Sequence, residues 1–250
     1  MTQLSTILRS FAVHDILNPK VWDNPENASE SVMKPKVRES LMKIAEKFQE
    51  TLMDDLEIED VILTGSLSNY NYSQFSDFDL HLVIDYNQFG KQAQLYRDLF
   101  GLKKQIFNDK HDISIFGYEV ELYPQDAEEA HFSSGVYSVM KDEWINKPSK
   151  EKPQLEKAVL TTKIDSWVSK IENLIQRIKK EGLKANEKNI DKLKEKLKDY
   201  RKSGLEKEGE YSYENLVFKY LRRSKLLQNL YDTISRQTDK ELSVEVKLVD

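Results

Sequence analysis

Two carboxylates, Asp77 and Asp79, stand two residues apart in the run Ser76-Asp77-Phe78-Asp79-Leu80-His81-Leu82. Strand side chains alternate between faces, so both aspartates point one way while Phe78, Leu80 and Leu82 point the other. At a separation of about 5 Å and an effective dielectric of about 20, two such charges repel by roughly 3 kcal/mol, a cost that stability alone does not select. A divalent cation shared between them reverses the sign, and Mg2+ favours oxygen ligands of this kind. Upstream, the apolar run Val61-Ile62-Leu63 ends in Thr64-Gly65-Ser66. Gly65 lets the backbone approach a ligand closely, and the Ser66 hydroxyl with the neighbouring amides can hold phosphate oxygens. Metal-binding carboxylates beside a phosphate-binding turn point to phosphoryl chemistry.

The order is a strand, Gly65-Ser66, ten residues from Leu67 to Ser76, then Asp77-Phe78-Asp79 on a second strand. It resembles the signature of the DNA polymerase beta-like nucleotidyltransferase superfamily. The likeness covers residues 35–124 by motif and the rest by architecture alone, and it extends to small nucleotidyltransferases of phage genomes. The resemblance implies a third carboxylate on a later strand. Glu119 and Glu121 share one face of the run from Tyr118 to Tyr123. Glu121 lies between apolar neighbours with Pro124 three residues on, which matches the superfamily pattern better, although Asp is commoner there. The resemblance implies that a nucleoside triphosphate binds with its phosphates at Gly65 and Ser66. It implies that Asp77 and Asp79 hold two Mg2+ ions, with Mn2+ as a substitute, and that Glu121 shares one of them. A nucleoside monophosphate then passes to a hydroxyl acceptor and pyrophosphate leaves. One metal lowers the pKa of the attacking hydroxyl and the other neutralises the leaving group, with Glu121 or Asp79 accepting the proton.

The elements that must position these groups are legible. Val37, Leu41, Ile44, Phe48 and Leu52, with Ala45 beside them, predict a helix over 35–55 that feeds a strand at 60–64. Leu95, Leu99, Leu102 and Ile106 predict the buried face of a helix over 88–108. Ile113 and Ile115, Gly117, and the run Tyr118–Tyr123 predict a hairpin. Residues 125–150 read as a connector, in which the loop from His131 to Tyr137 either lies near the nucleotide, with Tyr137 stacked on a base, or simply connects and holds a buried Tyr137. His81 faces the same way as the aspartates and reads either as a partner that orients a carboxylate or, more simply, as a polar side chain further along the strand. His14, His111 and His131 show no metal-ligand spacing. Pro153 suits a first helical turn. Three amphipathic helices follow: Ile164 to Ile178 ending at Gly182, Ile190 to Tyr200 ending at Gly204, and Leu216 to Ile234.

The chain has 250 residues and no cysteine, which excludes disulfides, thiolate metal sites and a Cys nucleophile. The first twenty residues hold no continuous apolar core and no run reaches membrane-spanning length, so the expectation is a soluble cytoplasmic enzyme with no membrane partner. Residues 1–146 carry 13 Lys and Arg against 25 Asp and Glu, whereas residues 147–208 carry 18 against 11. An acidic front and a basic back suggest two functional parts. The expected organisation is an N-terminal helical arm over 1–33, an α/β catalytic domain with a small mixed sheet over 34–146, and a helical domain over 147–250. The lysine-rich stretch from Lys179 to Lys202 makes an RNA 3′ end the first candidate acceptor, although its interleaved acids also suit a solvated helix. A protein side chain, as in the small antitoxin-type nucleotidyltransferases, a small molecule, and an inactive nucleotide-binding module are the alternatives.

Overall fold

A computed structural model describes residues 3–129, 133–150 and 155–243, and the chain divides into two units, Arg9–Lys152 and Met1–Leu8 together with Pro153–Asp250. His131, Phe132 and Pro153 lie outside the described residues.

The chain opens with α1 (Gln3–Arg9) and a small ladder of β1 (Trp22–Asp23) and β2 (Val32–Met33). Leu17, Val21, Trp22 and Met33 are buried in the core of the sheet unit, so much of the predicted arm is core. In α2 (Pro35–Leu52), Pro35 fixes the first turn, and Val37, Leu41, Ala45, Phe48 and Leu52 form the buried face. β3 (Asp60–Thr64) and β4 (Phe78–Ile84) pair antiparallel, with Thr64 opposite Asp79. Burial alternates along β4 residue by residue, and Phe78, Leu80, Leu82 and Ile84 face the core.

A 3-10 turn at Tyr86–Gln92 leads into α3 (Ala93–Lys110). Here the predicted face is corrected. Leu95, Leu99, Leu102 and Ile106 are 62%, 38%, 60% and 51% exposed, while Tyr96, Phe100 and Phe107 join the core. The two sets are one residue out of step, about 100° around the helix. The aromatic set wins because Phe89 stacks on Tyr96 at 4.0 Å and meets Phe100 edge-on at 5.8 Å, and aromatic rings bury more area than leucines.

β5 (Ser114–Ile115) and β6 (Tyr118–Asp126) form the hairpin, turning at Phe116 and Gly117, both at positive φ. β6 runs parallel to β4, with Glu121 opposite Asp79 and Tyr123 opposite His81. On the outer edge of β6 the Val120 amide donates to Ile113 O at 2.9 Å. The Asn108 side chain of α3 then takes both backbone groups of Leu122 at 3.2 Å. The stretch read as a connector supplies β7 (Val136–Ser138) and β8 (Glu143–Asn146), giving a mixed six-stranded sheet in the order β5-β6-β4-β3-β7-β8. Tyr137 is fully buried, edge-on to Trp22 and Trp144, with its hydroxyl donating to Asp142 at 2.7 Å. It is a core residue and cannot stack on a base.

The second unit is helical. α4 (Lys157–Glu181) buries Leu160, Ile164, Trp167, Ile171, Leu174, Ile175 and Ile178 and ends at Gly182 at positive φ. α5 (Glu187–Glu208) runs past Gly204 and stops at Gly209. Gly204 is instead a contact point: a Cβ there would lie 2.5 Å from the Glu214 Cβ. The predicted third helix is two, α6 (Tyr213–Arg223) and α7 (Leu226–Leu242), because Lys225 adopts φ 59 at the polar break Arg222–Lys225. The protein is therefore mixed α/β with a helical C-terminal region. No helix among the described residues is long and apolar enough to cross a membrane.

Candidate metal centre

The strand alternation that buries Phe78 and Leu80 leaves Asp79 on the other face of β4, with Asp77 just before the strand. The register then does the assembly. Asp79 lies between Thr64 of β3 and Glu121 of β6. Asp77, Asp79 and Glu121 each offer a carboxylate oxygen within 4.8 Å of the others, all half-buried, and among the described residues they are the one group of three able to hold a metal ion. Glu119, also on this strand, is exposed and pairs with Ser114 at the hairpin end, outside the group. All three donors are carboxylate oxygens, hard ligands suited to Mg2+ or Mn2+ rather than to softer metals.

Gly65 is fitted to this cluster. Its φ of 75° and ψ of −159° fall in a region essentially reserved for glycine. A Cβ at this position would lie 1.9 Å from the Asp79 Oδ2. The bare Cα therefore sets how close the turn comes to the carboxylate.

The turn itself is pinned. The Ser68 hydroxyl has the carbonyls of Gly65 at 2.9 Å and Gly135 at 2.8 Å as alternative acceptors for its one proton, and the Asn69 amide donates to the Gly65 carbonyl at 2.6 Å. Because the peptide is planar and trans, fixing that carbonyl points the Ser66 N–H to the opposite side, away from these donors. Ser66 Oγ lies 2.7 Å from Ser76 Oγ, which accepts from the Ser73 amide at 2.9 Å. Ser66, just before the ten-residue loop, and Ser76, its last residue, are thus tied together beside Asp77. From the far side, Ser134 donates to Asn69 at 2.6 Å and Asn69 donates to Ser133 at 3.0 Å. A Cβ on Gly135 would lie 2.0 Å from the Ser68 carbonyl oxygen, so residues 133–135 brace the turn rather than reach beyond it.

Three neighbours complete the face. The Tyr123 hydroxyl donates to Glu121. Burial, then the charges of Asp79 and Glu121, push the Tyr123 hydroxyl far above its usual range, so it stays the donor. His81 stacks on Tyr123 at 4.8 Å and pairs its Nε2 with Thr64 Oγ1 at 3.2 Å. It is a packing partner of the site, not a member of the carboxylate group. Lys104 of α3 places its ammonium 3.7 Å from the Tyr123 ring centroid. Tyr123 was within reach of the sequence, since it is two residues from Glu121 and must share its face. Lys104 carried no such signal, because its place depends on which face of α3 is buried. Set against known proteins, the chain matches no family model, no curated protein and no solved structure.

Proposed function

We propose that this protein is a metal-dependent nucleotidyltransferase of the DNA polymerase beta-like type, moving a nucleoside monophosphate from a nucleoside triphosphate to a hydroxyl acceptor and releasing pyrophosphate. The observation that carries the reading is the convergence of Asp77, Asp79 and Glu121 from two parallel strands, with the Cα of Gly65 against Asp79. Bound Mg2+ or Mn2+ supplies Lewis-acid stabilisation of phosphate charge and lowers the pKa of a coordinated hydroxyl. Asp77, Asp79 and Glu121 hold the metal, the Gly65-Ser66 turn receives phosphate oxygens, and Glu121 or Asp79 takes the acceptor proton. Tyr123 keeps Glu121 oriented by its hydrogen bond. The test is incubation with each labelled triphosphate, Mg2+ and total RNA and protein. Label on neither, with no pyrophosphate released, abandons the reading.

The two glutamates separate in rate. Glu121→Gln is expected to slow pyrophosphate release about 100-fold, a barrier increase of about 2.7 kcal/mol, and Glu119→Gln less than about threefold. The opposite ranking in initial rates would move the third ligand to Glu119.

An RNA 3′ end is the acceptor favoured here, on the positive excess of residues 147–208. Lys188, Lys192, Lys194, Lys196 and Lys198 are all exposed on α5. Such lysines contact phosphates without reading bases. Changing Lys192, Lys196 and Lys198 together to Glu is expected to raise the KM for the RNA acceptor about tenfold or more at low salt and to spare that for the triphosphate. Acceptor binding should weaken with salt at a log–log slope of about 0.7 to 0.9 per phosphate neutralised. An unchanged acceptor KM in the triple variant would leave α5 a solvated face and put a protein or small-molecule acceptor first.

A further inference from the structure

Lys104 has a position that the catalytic reading does not use. It stands one turn before Asn108 on α3, and Asn108 holds the backbone of Leu122. This part of the helix therefore lies along β6 and delivers the Lys104 ammonium to the face that carries Glu121 and Tyr123. The ammonium is half-buried over the Tyr123 ring, 3.7 Å from its centroid, and that ring's hydroxyl donates to Glu121. Burial draws the Lys104 pKa down, while the charges of Glu121 and Asp79 act to raise it.

The charges decide what such a lysine does. A cation beside Glu121 and Asp79 opposes a divalent ion on the same carboxylates, because like charges in a half-buried setting are poorly screened. A triphosphate is the reverse case: the three carboxylates repel it and the ammonium attracts it. A lysine on a flexible four-carbon stem, held by an aromatic face, can exchange that face for phosphate oxygens.

We propose that Lys104 is a triphosphate-binding residue that couples the two ligands of the site, so that metal and triphosphate each bind more tightly when the other is present. This rests on the nucleotidyltransferase reading and adds to it a residue and a coupling between the two ligands. Coupling of this kind is reciprocal: whatever factor the metal lends the triphosphate, the triphosphate lends the metal.

The test uses the full chain and two probes that do not depend on the base. Calorimetry measures the Kd of Mn2+ alone, then the Kd of inorganic tripolyphosphate at saturating Mn2+. Lys104→Gln is expected to tighten Mn2+ alone by about threefold to tenfold and to weaken tripolyphosphate by about tenfold or more. Lys104→Arg is expected to restore most of the tripolyphosphate affinity. Lys110→Gln, an exposed change at the end of the same helix, is expected to move neither. If melting curves show the Gln variant unfolded, Lys104→Met, which keeps an apolar stem on Tyr123, takes its place. A purely structural lysine would shift both affinities the same way or neither. Either result, in a wild type that binds both probes, overturns the role of Lys104 and leaves the nucleotidyltransferase reading standing. A wild type that binds neither probe removes both.

Discussion

Asp77→Asn and Asp79→Asn are each expected to reduce nucleotidyl transfer by about 1,000-fold or more, because losing about 4 kcal/mol of metal-borne charge stabilisation costs that factor. The same substitutions should not harm the fold. Phe78, Leu80, Leu82 and Ile84 keep β4 in the core whatever stands on its other face. Removing one of three clustered negative charges relieves repulsion, and in half-exposed groups solvent screening holds the gain below about 1 kcal/mol. Melting in EDTA should therefore show the variants level with wild type or up to about 4 °C higher. Added Mg2+ should raise the wild-type melting temperature and leave the variants where they are, since only a folded site binds the ion. Wild-type turnover in either variant would end the metal-dependent reading.

Gly65→Ala is expected to be nearly as damaging, by another route. The new methyl group would lie 1.9 Å from Asp79 Oδ2, so either the turn or the carboxylate must move. The backbone conformation adds about 1 to 3 kcal/mol of strain for any residue with a Cβ. Transfer should fall about 100-fold or more, as expected when a reacting group is displaced by about 1 Å, and stability should fall with it. A double-mutant cycle isolates the contact. Asp79→Ala removes the clash but not the backbone strain, so in urea unfolding Gly65→Ala should cost less in that background than in wild type. Strict additivity of the two would mean that Gly65 and Asp79 do not touch.

How far the sequence reached depended on which periodicity was at work. Along β4 the period of two places Asp79 and Phe78 on opposite faces with no further information, but the register that sets Asp79 between Thr64 and Glu121 does not follow from it, since a slip of two residues keeps every face and β3 is buried on both sides. α3 shows the limit. Its leucines and its aromatics each form a helical stripe, and only the packing of Phe89 against Tyr96 and Phe100 decides between them. Gly204 misled for a related reason: a glycine can mark a helix end or a close crossing, and the choice lies with the neighbour, here Glu214 and Ser212 of the next segment. β7 and β8 are three and four residues long and leave too little pattern to read. The bracing of the Gly65-Ser66 turn by Ser133 and Ser134 is a contact across more than sixty positions of chain, set by β7 pairing with β3.

The edge of β6 has a consequence for how any macromolecule meets this protein. An edge strand normally offers its outward backbone groups to a strand from another chain, the route of β-augmentation and of aggregation. Here, from Val120 to Pro124, the outward amides are already used or missing: Val120 gives its N–H to Ile113, Leu122 gives its N–H to Asn108, and Pro124 has none. One side-chain amide, that of Asn108, thus does the work of a neighbouring strand at Leu122, next to Glu121. Between Val120 and Pro124 that margin therefore offers no free N–H to an incoming strand, and the carboxylates stay reachable only across the open face of the sheet.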